Sequence, residues 1–337
     1  MNQQADEPGL DPRYLLMQSW LAATLGPVDD LRPASADASF RRYFRARRGN
    51  KSYIIMDAPP EKEPVAPFVR IAHRLAALGL HVPAILGADE AAGFLLLSDL
   101  GERAYLDELP HGNEERLYGD ALGALITLQV GGLGDEDFLA PFSGAILRRE
   151  MELFPEWFLG RHLNQPVNRN QRAALDQVFE VLLQSAAQQP QVWVHRDYHS
   201  RNLMHTAGHN PGILDFQDAV VGPVTYDLVS LLKDAYITWP RERVLEWTRG
   251  FHQLALDSGI LQDDDAAQFV RTFDLMGVQR HLKVVGIFAR LYYRDGKARY
   301  LDDIPRVLRY IQEVLPLYDE LAPLASLLAD CGLHRHS

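Results

Sequence analysis

The sequence predicts an α+β protein with a small N-terminal antiparallel sheet and a larger, mainly helical C-terminal part. Two observations support this. Strand alternation and turn signals dominate the first hundred residues, and apolar residues recur at helical spacing over most of the chain beyond residue 114. With 337 residues, 47% of them hydrophobic, the chain is long enough for two packed cores. We therefore predict a flexible tail over residues 1–12, an N-terminal region over 13–100 and a C-terminal region over 101–337.

The N-terminal region contains signals for two strands, a helix and a further strand. The segment SFRRYFRARRGNKSYIIMD alternates large apolar and basic residues on either side of a turn at Gly49 and Asn50, which is typical of a β-hairpin. The next segment, PFVRIAHRLAALG, has apolar residues at helical spacing and ends at Gly79, a common helix terminator. GFLLLSDLG then predicts another strand, which completes a small sheet with one helix.

The C-terminal region shows a helical period nearly throughout. It predicts helices over residues 114–130, 145–162, 170–188, 241–258, 265–293 and 303–330. The exception is the stretch that begins with the β-prone run at Val192. There, Leu203 and Met204 start one arm of a predicted hairpin and residues 213–216 form the other, so we expect Asn202 to come close to Asp215.

The composition excludes several classes of protein. A formal net charge of -11 argues against general affinity for nucleic acid or anionic membranes. No apolar run approaches the roughly 18 residues of a membrane span, and no secretory signal is visible, so we expect a cytoplasmic protein. Cys331 is the single cysteine, which excludes an internal disulfide or a cysteine-rich metal centre. We expect a monomer that acts on a small molecule.

The segment HRDYHSRN, which runs from His195 to Asn202, concentrates polar residues just before the predicted hairpin. Asp197 lies five residues before Asn202, and Asp215 follows on the other arm. Two aspartates and an asparagine around one cleft suit Mg²⁺, a hard cation that takes few protein oxygens and shares the phosphates of a substrate. This pattern indicates phosphoryl transfer.

The same residues resemble a known superfamily. HRDYHSRN followed by ILDFQD resembles the catalytic loop and the later metal-binding aspartate of protein kinases. The short interval between them, with GPVTYDLVSLL, is similar to the aminoglycoside phosphotransferase and choline kinase branch. Within that branch, ASFRRYFR, MDAPP, FLLLSDLG and FPEWFLGRHL resemble the bacterial N-acetylmuramate/N-acetylglucosamine anomeric kinases of cell-wall recycling. The resemblance covers residues 30–320 and implies a two-lobed protein-kinase-like fold, ATP and Mg²⁺ as cofactors, and an amino-sugar substrate.

The resemblance also implies roles for individual residues. Asp197 would accept the proton of the substrate hydroxyl, or orient that hydroxyl for in-line attack on the γ-phosphate. Asn202 and Asp215 would hold Mg²⁺. His195 would keep the loop in shape, and Asp227 would fasten the loop from below without touching the substrate.

The predicted nucleotide site departs from the kinase pattern. No glycine lies near Ser39 and Phe40, so small residues and backbone amides there would have to allow the phosphates to approach. Met56 and Asp57 stand where a phosphate-binding lysine is expected. Alternation along the strand places Arg41 and Arg45 on one face and Arg42 on the other, and we predict Arg42 and Arg45 as the replacement cations. The resemblance implies that the adenine contacts the backbone at Ser98, Asp99 and Leu100.

The acceptor pocket is predicted in the helical part, where arginines would suit a lactyl carboxylate and an aromatic face would suit a sugar. The candidates are Arg149, Glu152, Trp157 and Arg280. Two alternatives to an amino-sugar kinase stay open. One is a kinase of another small alcohol, such as an aminoglycoside, choline or methylthioribose. The other is a non-catalytic, nucleotide-binding pseudokinase, which the missing lysine would explain.

Overall fold

The computed structural model of the chain describes residues 11–36 and 40–333. Ser39 and most of the predicted tail lie outside these ranges. The chain divides into two compact units. The first comprises the chain up to Arg103 together with Met204–Gln217, and the second comprises Ala104–Leu203 and the chain from Asp218 onward.

The first unit is built on a five-stranded antiparallel sheet with the strand order β1-β2-β3-β5-β4. Its elements are α1 (Pro12–Thr24), β1 (Asp30–Ala36), β2 (Arg42–Arg48), β3 (Lys51–Asp57), α2 (Ala66–Ala77), β4 (Ile85–Asp89) and β5 (Phe94–Ser98). The predicted hairpin is confirmed as β2 and β3, and Gly49 in its turn has a φ of 58°, which favours glycine. The predicted helix and the later strand are confirmed as α2 and β5, whereas sequence reasoning did not identify α1, β1 or β4.

Helix α1 covers one face of this sheet. Met17 and Leu21 are buried against a cluster that includes Phe44, Ile55 and Leu96, which lie directly opposite one another on neighbouring strands and so share one face. The side chain of Asp11 caps α1 by accepting a hydrogen bond from the backbone N–H of Arg13.

The second unit is mainly helical. Its helices are α3 (Tyr105–Glu108), α4 (Glu114–Gly131), α5 (Gly144–Met151), a π-helix (Phe154–His162), α6 (Arg169–Ala187), α7 (Tyr226–Leu232), α8 (Arg241–Asp257), α9 (Ala266–Asp295), α10 (Ile304–Val314) and α11 (Ala322–Asp330). Strand β6 (Gln191–Val194) pairs antiparallel with β9 (Val220–Pro223). The short strands β7 (Leu203–Met204) and β8 (Gly212–Ile213) pair with each other, and Met204–Gln217 belongs to the first unit. The main core is formed by apolar faces of α6, α9, α10, α11 and the π-helix.

Two of the predicted helices are interrupted. The helix predicted over 145–162 stops at Met151, because Pro155 has no N–H for the Met151 carbonyl, and continues as a π-helix that ends with a 2.9 Å bond from Leu163 N to Phe158 O. The helix predicted over 303–330 is also divided, since Pro316 ends α10 and Pro323 suits the first turn of α11. The other four helices are confirmed to within two residues at each end. Across the described ranges, no helix has the length and apolar character of a membrane span.

Candidate active site

The loop from His195 to Asn202, hereafter the 195–202 loop, is fastened at its start by Asp227 of α7. This aspartate is fully buried, and its two carboxylate oxygens accept hydrogen bonds from the backbone N–H groups of His195 (2.6 Å) and Arg196 (3.0 Å). Arg196 has a φ of 77°, a left-handed conformation that costs about 1–2 kcal/mol for a non-glycine residue. The contacts of Asp227 hold the backbone in this conformation. They are consistent with the supporting role expected for Asp227.

A second buried aspartate, Asp234, fastens the far end of the loop. Its Oδ2 accepts hydrogen bonds from both the backbone N–H (2.9 Å) and the hydroxyl of Ser200, and its Oδ1 accepts one from the backbone N–H of Tyr236 (3.0 Å). Asn202 closes the loop on itself, because its Nδ2 donates to the backbone carbonyl of Asp197 at 3.0 Å. Sequence reasoning missed Asp234, because the aspartate follows α7 rather than the loop it supports.

Two histidines of the loop pack edge-on against tyrosine rings. His195 is buried, its Nδ1 accepts a hydrogen bond from the backbone N–H of Asp197 (3.3 Å), and its ring packs edge-on against Tyr198. Burial lowers the pKa of His199, and the nearby Asp234 and Asp197 only partly offset this effect. The pKa of His199 therefore lies below the ordinary value of a histidine, and its ring packs edge-on against Tyr236.

The side chain of Asp197 is 45% exposed, and its Oδ1 lies 3.7 Å from a terminal nitrogen of Arg280. Burial alone would raise the pKa of this carboxyl, but Lys283 and Arg280 outweigh burial and lower the pKa below its usual value. Asp197 is thus a carboxylate at neutral pH. It can accept a hydrogen bond from a hydroxyl group of a substrate.

Arg280 and Lys283 lie three residues apart on α9 and so face the same way. Arg280 donates to the backbone carbonyl of Arg196 (3.1 Å) and to the hydroxyl of Tyr226 (3.4 Å). Lys283 Nζ donates to the same tyrosine hydroxyl (3.0 Å) and pairs with Glu150 (3.0 Å), which also pairs with Arg196 (2.7 Å). Arg280 and Lys283 thus bring two positive charges from α9 to the start of the loop. Sequence reasoning identified Arg280 but missed Lys283, although the three-residue spacing on a predicted helix was visible.

The two predicted metal ligands have oxygen donors that suit Mg²⁺. The nitrogen of the Asn202 amide is bound to the loop, so its oxygen is the atom that can serve a cation. Asp215 has a φ of 64°, which is incompatible with the strand predicted over 213–216, and β8 accordingly ends at Ile213. Its Oδ1 accepts a 2.7 Å hydrogen bond from Gln217. Asn202 belongs to the second unit and Asp215 to the first.

In the first unit, a buried carboxylate occupies the position where a lysine was expected. Asp57 is fully buried and accepts hydrogen bonds from Arg13 Nε (2.6 Å) and Arg42 Nε (2.9 Å). Arg42 pairs with Asp11 as well. The predicted phosphate cation Arg42 is therefore already bound by two carboxylates.

Arg45 lies on the other face of β2 and forms a bidentate ion pair with Asp99, in which Nε donates to Oδ2 at 2.6 Å and Nη2 donates to Oδ1 at 3.0 Å. Burial would raise the pKa of Asp99, but Arg45 and Ser52 outweigh burial and lower it. Ser98 closes β5 by accepting a hydrogen bond from the backbone N–H of Ala84 (2.8 Å). The predicted adenine-binding segment is thus held in place by its own side chains.

The remaining candidates are dispersed. The Phe40 ring is 59% exposed beneath Lys62, and Leu100 packs near Gly212. Two sugar candidates lie at the surface or the core edge, since Arg149 is exposed and Trp157 of the π-helix packs partly against the helical core. Glu152 is bound by Arg172 of α6 (2.6 Å), and of the four sugar candidates Arg280 is the one whose described contacts include Asp197.

Comparison with known proteins places this geometry in a family. A model of the phosphotransferase enzyme family (APH) matches residues 30–268. An N-acetylmuramate/N-acetylglucosamine kinase from Pseudomonas aeruginosa is 47% identical over 333 residues, which cover 95% of this chain and 97% of that protein. A kinase of the same name from Pseudomonas putida is 50% identical over 304 residues, which cover 90% of this chain and 89% of that protein.

The fold is similar to that of a solved phosphotransferase. The crystal structure of an ADP-bound aminoglycoside phosphotransferase matches with a TM-score of 0.55 at 15% identity, covering 89% of this chain and 98% of that chain. The predicted α+β, kinase-like fold is confirmed by this match. By the extent of the family match and the identity to full-length relatives, this chain belongs to the phosphotransferase enzyme family.

Proposed function

We propose that the protein is an ATP-dependent kinase that phosphorylates N-acetylmuramate and N-acetylglucosamine at the anomeric hydroxyl, in the recycling of cell-wall amino sugars. The observation that carries this proposal is the identity of 47–50%, over nearly the full length, to kinases of that name. Membership of a phosphotransferase family supports the reaction type. We place the reaction in the cytoplasm and expect the protein to act as a monomer.

Asp197 is the residue that would meet the acceptor. Its exposed carboxylate would accept a hydrogen bond from the anomeric hydroxyl and direct a lone pair of that oxygen toward the γ-phosphorus of ATP. Because nearby cations lower its pKa, Asp197 is a weak base and would act mainly by orienting the hydroxyl. The hydroxyl proton would then pass to Asp197 late in the reaction, when the bond between the γ-phosphorus and ADP is already weakened.

Asn202 and Asp215 would hold Mg²⁺, which when bound neutralises charge on the phosphates and aligns them for transfer. The backbone near Ser39 and Phe40 would cover the phosphates, and Ser98, Asp99 and Leu100 would present backbone groups to adenine. The ADP bound by the solved family member supports a nucleotide in this role.

Arg42 and Arg45 stay candidate phosphate cations of the first unit. Each would have to exchange a carboxylate for a phosphate oxygen, because Asp57 and Asp99 now bind them. Arg149, Glu152 and Trp157 stay candidates for sugar contacts, and Glu152 would likewise have to leave Arg172.

The test is an assay of the purified protein with ATP and Mg²⁺ against a panel of acceptors: N-acetylmuramate, N-acetylglucosamine, choline, an aminoglycoside and methylthioribose. We expect the amino sugars to give an acid-labile phosphate, because a glycosyl phosphate breaks through an oxocarbenium-like route. In NMR spectra, the phosphorus of this product should couple to the anomeric proton. An acid-stable 6-phosphate would contradict the anomeric position. Phosphorylation of another alcohol would favour that acceptor class, and ATP binding without any product would favour a pseudokinase.

A further inference from the structure

The 195–202 loop needs positive charge near its carboxylate if it is to stabilise a transferring phosphoryl group, and its own two arginines are directed to other partners. Arg196 is bound by Glu150, and the guanidinium of Arg201 lies over the Tyr236 ring at 3.5 Å. The guanidinium of Arg280 instead reaches the loop from α9 and lies 3.7 Å from Asp197, with its side chain only 7% exposed. Helix α9 mostly follows the segment matched by the family model, which ends at residue 268.

We propose that Arg280 is a catalytic residue that stabilises the negative charge of the transferring phosphoryl group. This inference rests on the proposed function, since it assumes that Asp197 holds the attacking hydroxyl. It gives Arg280 a role in the chemical step rather than in recognition of the sugar.

The position of Arg280 favours the phosphoryl group over a carboxylate of the sugar. A hydroxyl bound to Asp197 must hold its oxygen within about 3–3.5 Å of the γ-phosphorus to react, so a cation beside the same carboxylate lies next to the phosphoryl oxygens. The lactyl carboxylate of N-acetylmuramate is attached through O3, away from the reacting C1 hydroxyl. N-acetylglucosamine has no carboxylate, yet the kinases similar to this chain carry both sugars in their name.

The contacts of Arg280 hold it ready for this role. Its NH1 is fixed by the carbonyl of Arg196 (3.1 Å) and by Tyr226, and its guanidinium lies over the Tyr226 ring at 5.4 Å. Its NH2 is 3.7 Å from Asp197, which is beyond hydrogen-bond distance and leaves that nitrogen able to donate to a phosphoryl oxygen. A donor held in place before the reaction stabilises developing charge without reorganisation.

The step balances as a simple substitution. The acceptor oxygen forms a bond to the γ-phosphorus while the bond from that phosphorus to the β,γ-bridging oxygen breaks, and the electron pair leaves with ADP. The hydroxyl proton passes to Asp197 and then to solvent. Arg280 stays protonated and donates hydrogen bonds to the phosphoryl oxygens throughout.

The test compares Arg280→Met and Arg280→Lys with Arg271→Met, a matched control on the same helix. Arg271 also pairs with a carboxylate, Glu320, and lies over a tyrosine ring, that of Tyr318. We expect Arg280→Met to lower kcat about 100- to 1,000-fold with both sugars alike, with little change in KM for ATP, on the scale of a lost oxyanion donor. Arg280→Lys should recover part of the loss, and the control should keep the parental kcat. Circular dichroism and thermal unfolding show whether each variant is folded. If Arg280→Met does not fold, the kcat of Arg280→Lys is compared with that of the control instead.

Any hydrolysis of ATP in the absence of sugar provides a second measurement. Water then takes the place of the acceptor, so Arg280→Met should slow hydrolysis as well. A parental kcat in folded Arg280→Met, or a rise confined to the KM for N-acetylmuramate, would overturn the inference and assign Arg280 to the lactyl carboxylate. If the unmodified protein phosphorylates neither sugar, the proposed function fails, and the hydrolysis rates still decide the role of Arg280.

Discussion

The sheet of the first unit and the 195–202 loop of the second contain the same kinds of charged side chain, but the central carboxylate is buried in the sheet and half-exposed in the loop. In the sheet, buried Asp57 binds both Arg13 and Arg42, so the arginines are neutralised by the fold itself. Around the loop, the half-exposed Asp197 lies 3.7 Å from Arg280, and Lys283 and Arg280 lower its pKa. The difference teaches that a cation visible in the sequence is informative only once its partner is known. In the sheet, Arg13 and Arg42 bind a buried carboxylate, whereas around the loop Arg280 lies near a carboxylate that a substrate can reach.

The most severe test of this comparison removes the exposed carboxylate. We expect Asp197→Asn to lower kcat by about 1,000-fold or more, since the amide is a poor proton acceptor and can present a donor to the hydroxyl. ATP affinity, measured by calorimetry in the presence of Mg²⁺, should be nearly unchanged. Turnover close to that of the parent would mean that the loop does not position the acceptor.

A smaller effect is expected from the buried support of the loop. Asp234→Asn replaces an oxygen that accepts two hydrogen bonds from Ser200, so the loop should shift and kcat should fall by about 10- to 100-fold. Urea unfolding should show a loss of about 1–3 kcal/mol. Asp263→Asn, at an exposed position between α8 and α9, is the control and should change neither quantity. Parental kcat in Asp234→Asn would show that the loop holds its geometry without this aspartate.

On the side of the sheet, Arg42→Met should act mainly on stability. Asp57 would keep only Arg13 as a charged partner, and we expect the free energy of unfolding to fall by about 1–3 kcal/mol. The KM for ATP should rise by less than the roughly tenfold change expected when one charged hydrogen bond to a ligand is lost. A larger rise would assign Arg42 to the phosphates and end the contrast between the two regions.

The smallest effect concerns packing of α9, the helix that carries the cations. A Cβ on Gly286 would lie 2.4 Å from the carbonyl carbon of Leu153, so Gly286→Ala should cost about 1–3 kcal/mol of stability. A Cβ on Gly250 of α8 would meet no atom of the described residues within 4 Å, so Gly250→Ala should stabilise by about 0.5–1 kcal/mol. Thermal unfolding of both variants measures the difference. If Gly286→Ala unfolds like the parent, the close approach of α9 to Leu153 can relax at little cost.

Sequence reasoning succeeded where structure is set by local pattern. The hairpin of β2 and β3 and the long helices were visible because alternation and helical spacing are properties of short windows. Helix α1 was missed because its apolar residues do not form one clear stripe: Leu15 and Leu16 are 49% and 54% exposed. The π-helix was predicted as ordinary α-helix, since the two have similar composition.

The candidate site shows the same limit. Asp197, Asn202 and Asp215 were identified because a motif with fixed spacing contains them. Asp234 and Lys283 were not, because their importance arises from contacts with residues distant in the chain. The sequence also contains an aspartate at position 57, but it does not show that Arg13 and Arg42 bind this side chain and so make its burial tolerable.

The attachment of α1 to the sheet has a practical consequence for producing fragments of this protein. The family match begins at residue 30, so a fragment cut at that boundary would lose α1 entirely. Phe44 and Ile55 would then face water, and Asp57 would lose the arginine that α1 provides. Such a fragment should aggregate on expression even though it retains every family motif. An expression boundary for crystallisation or screening should therefore be placed no later than Asp11, which caps α1.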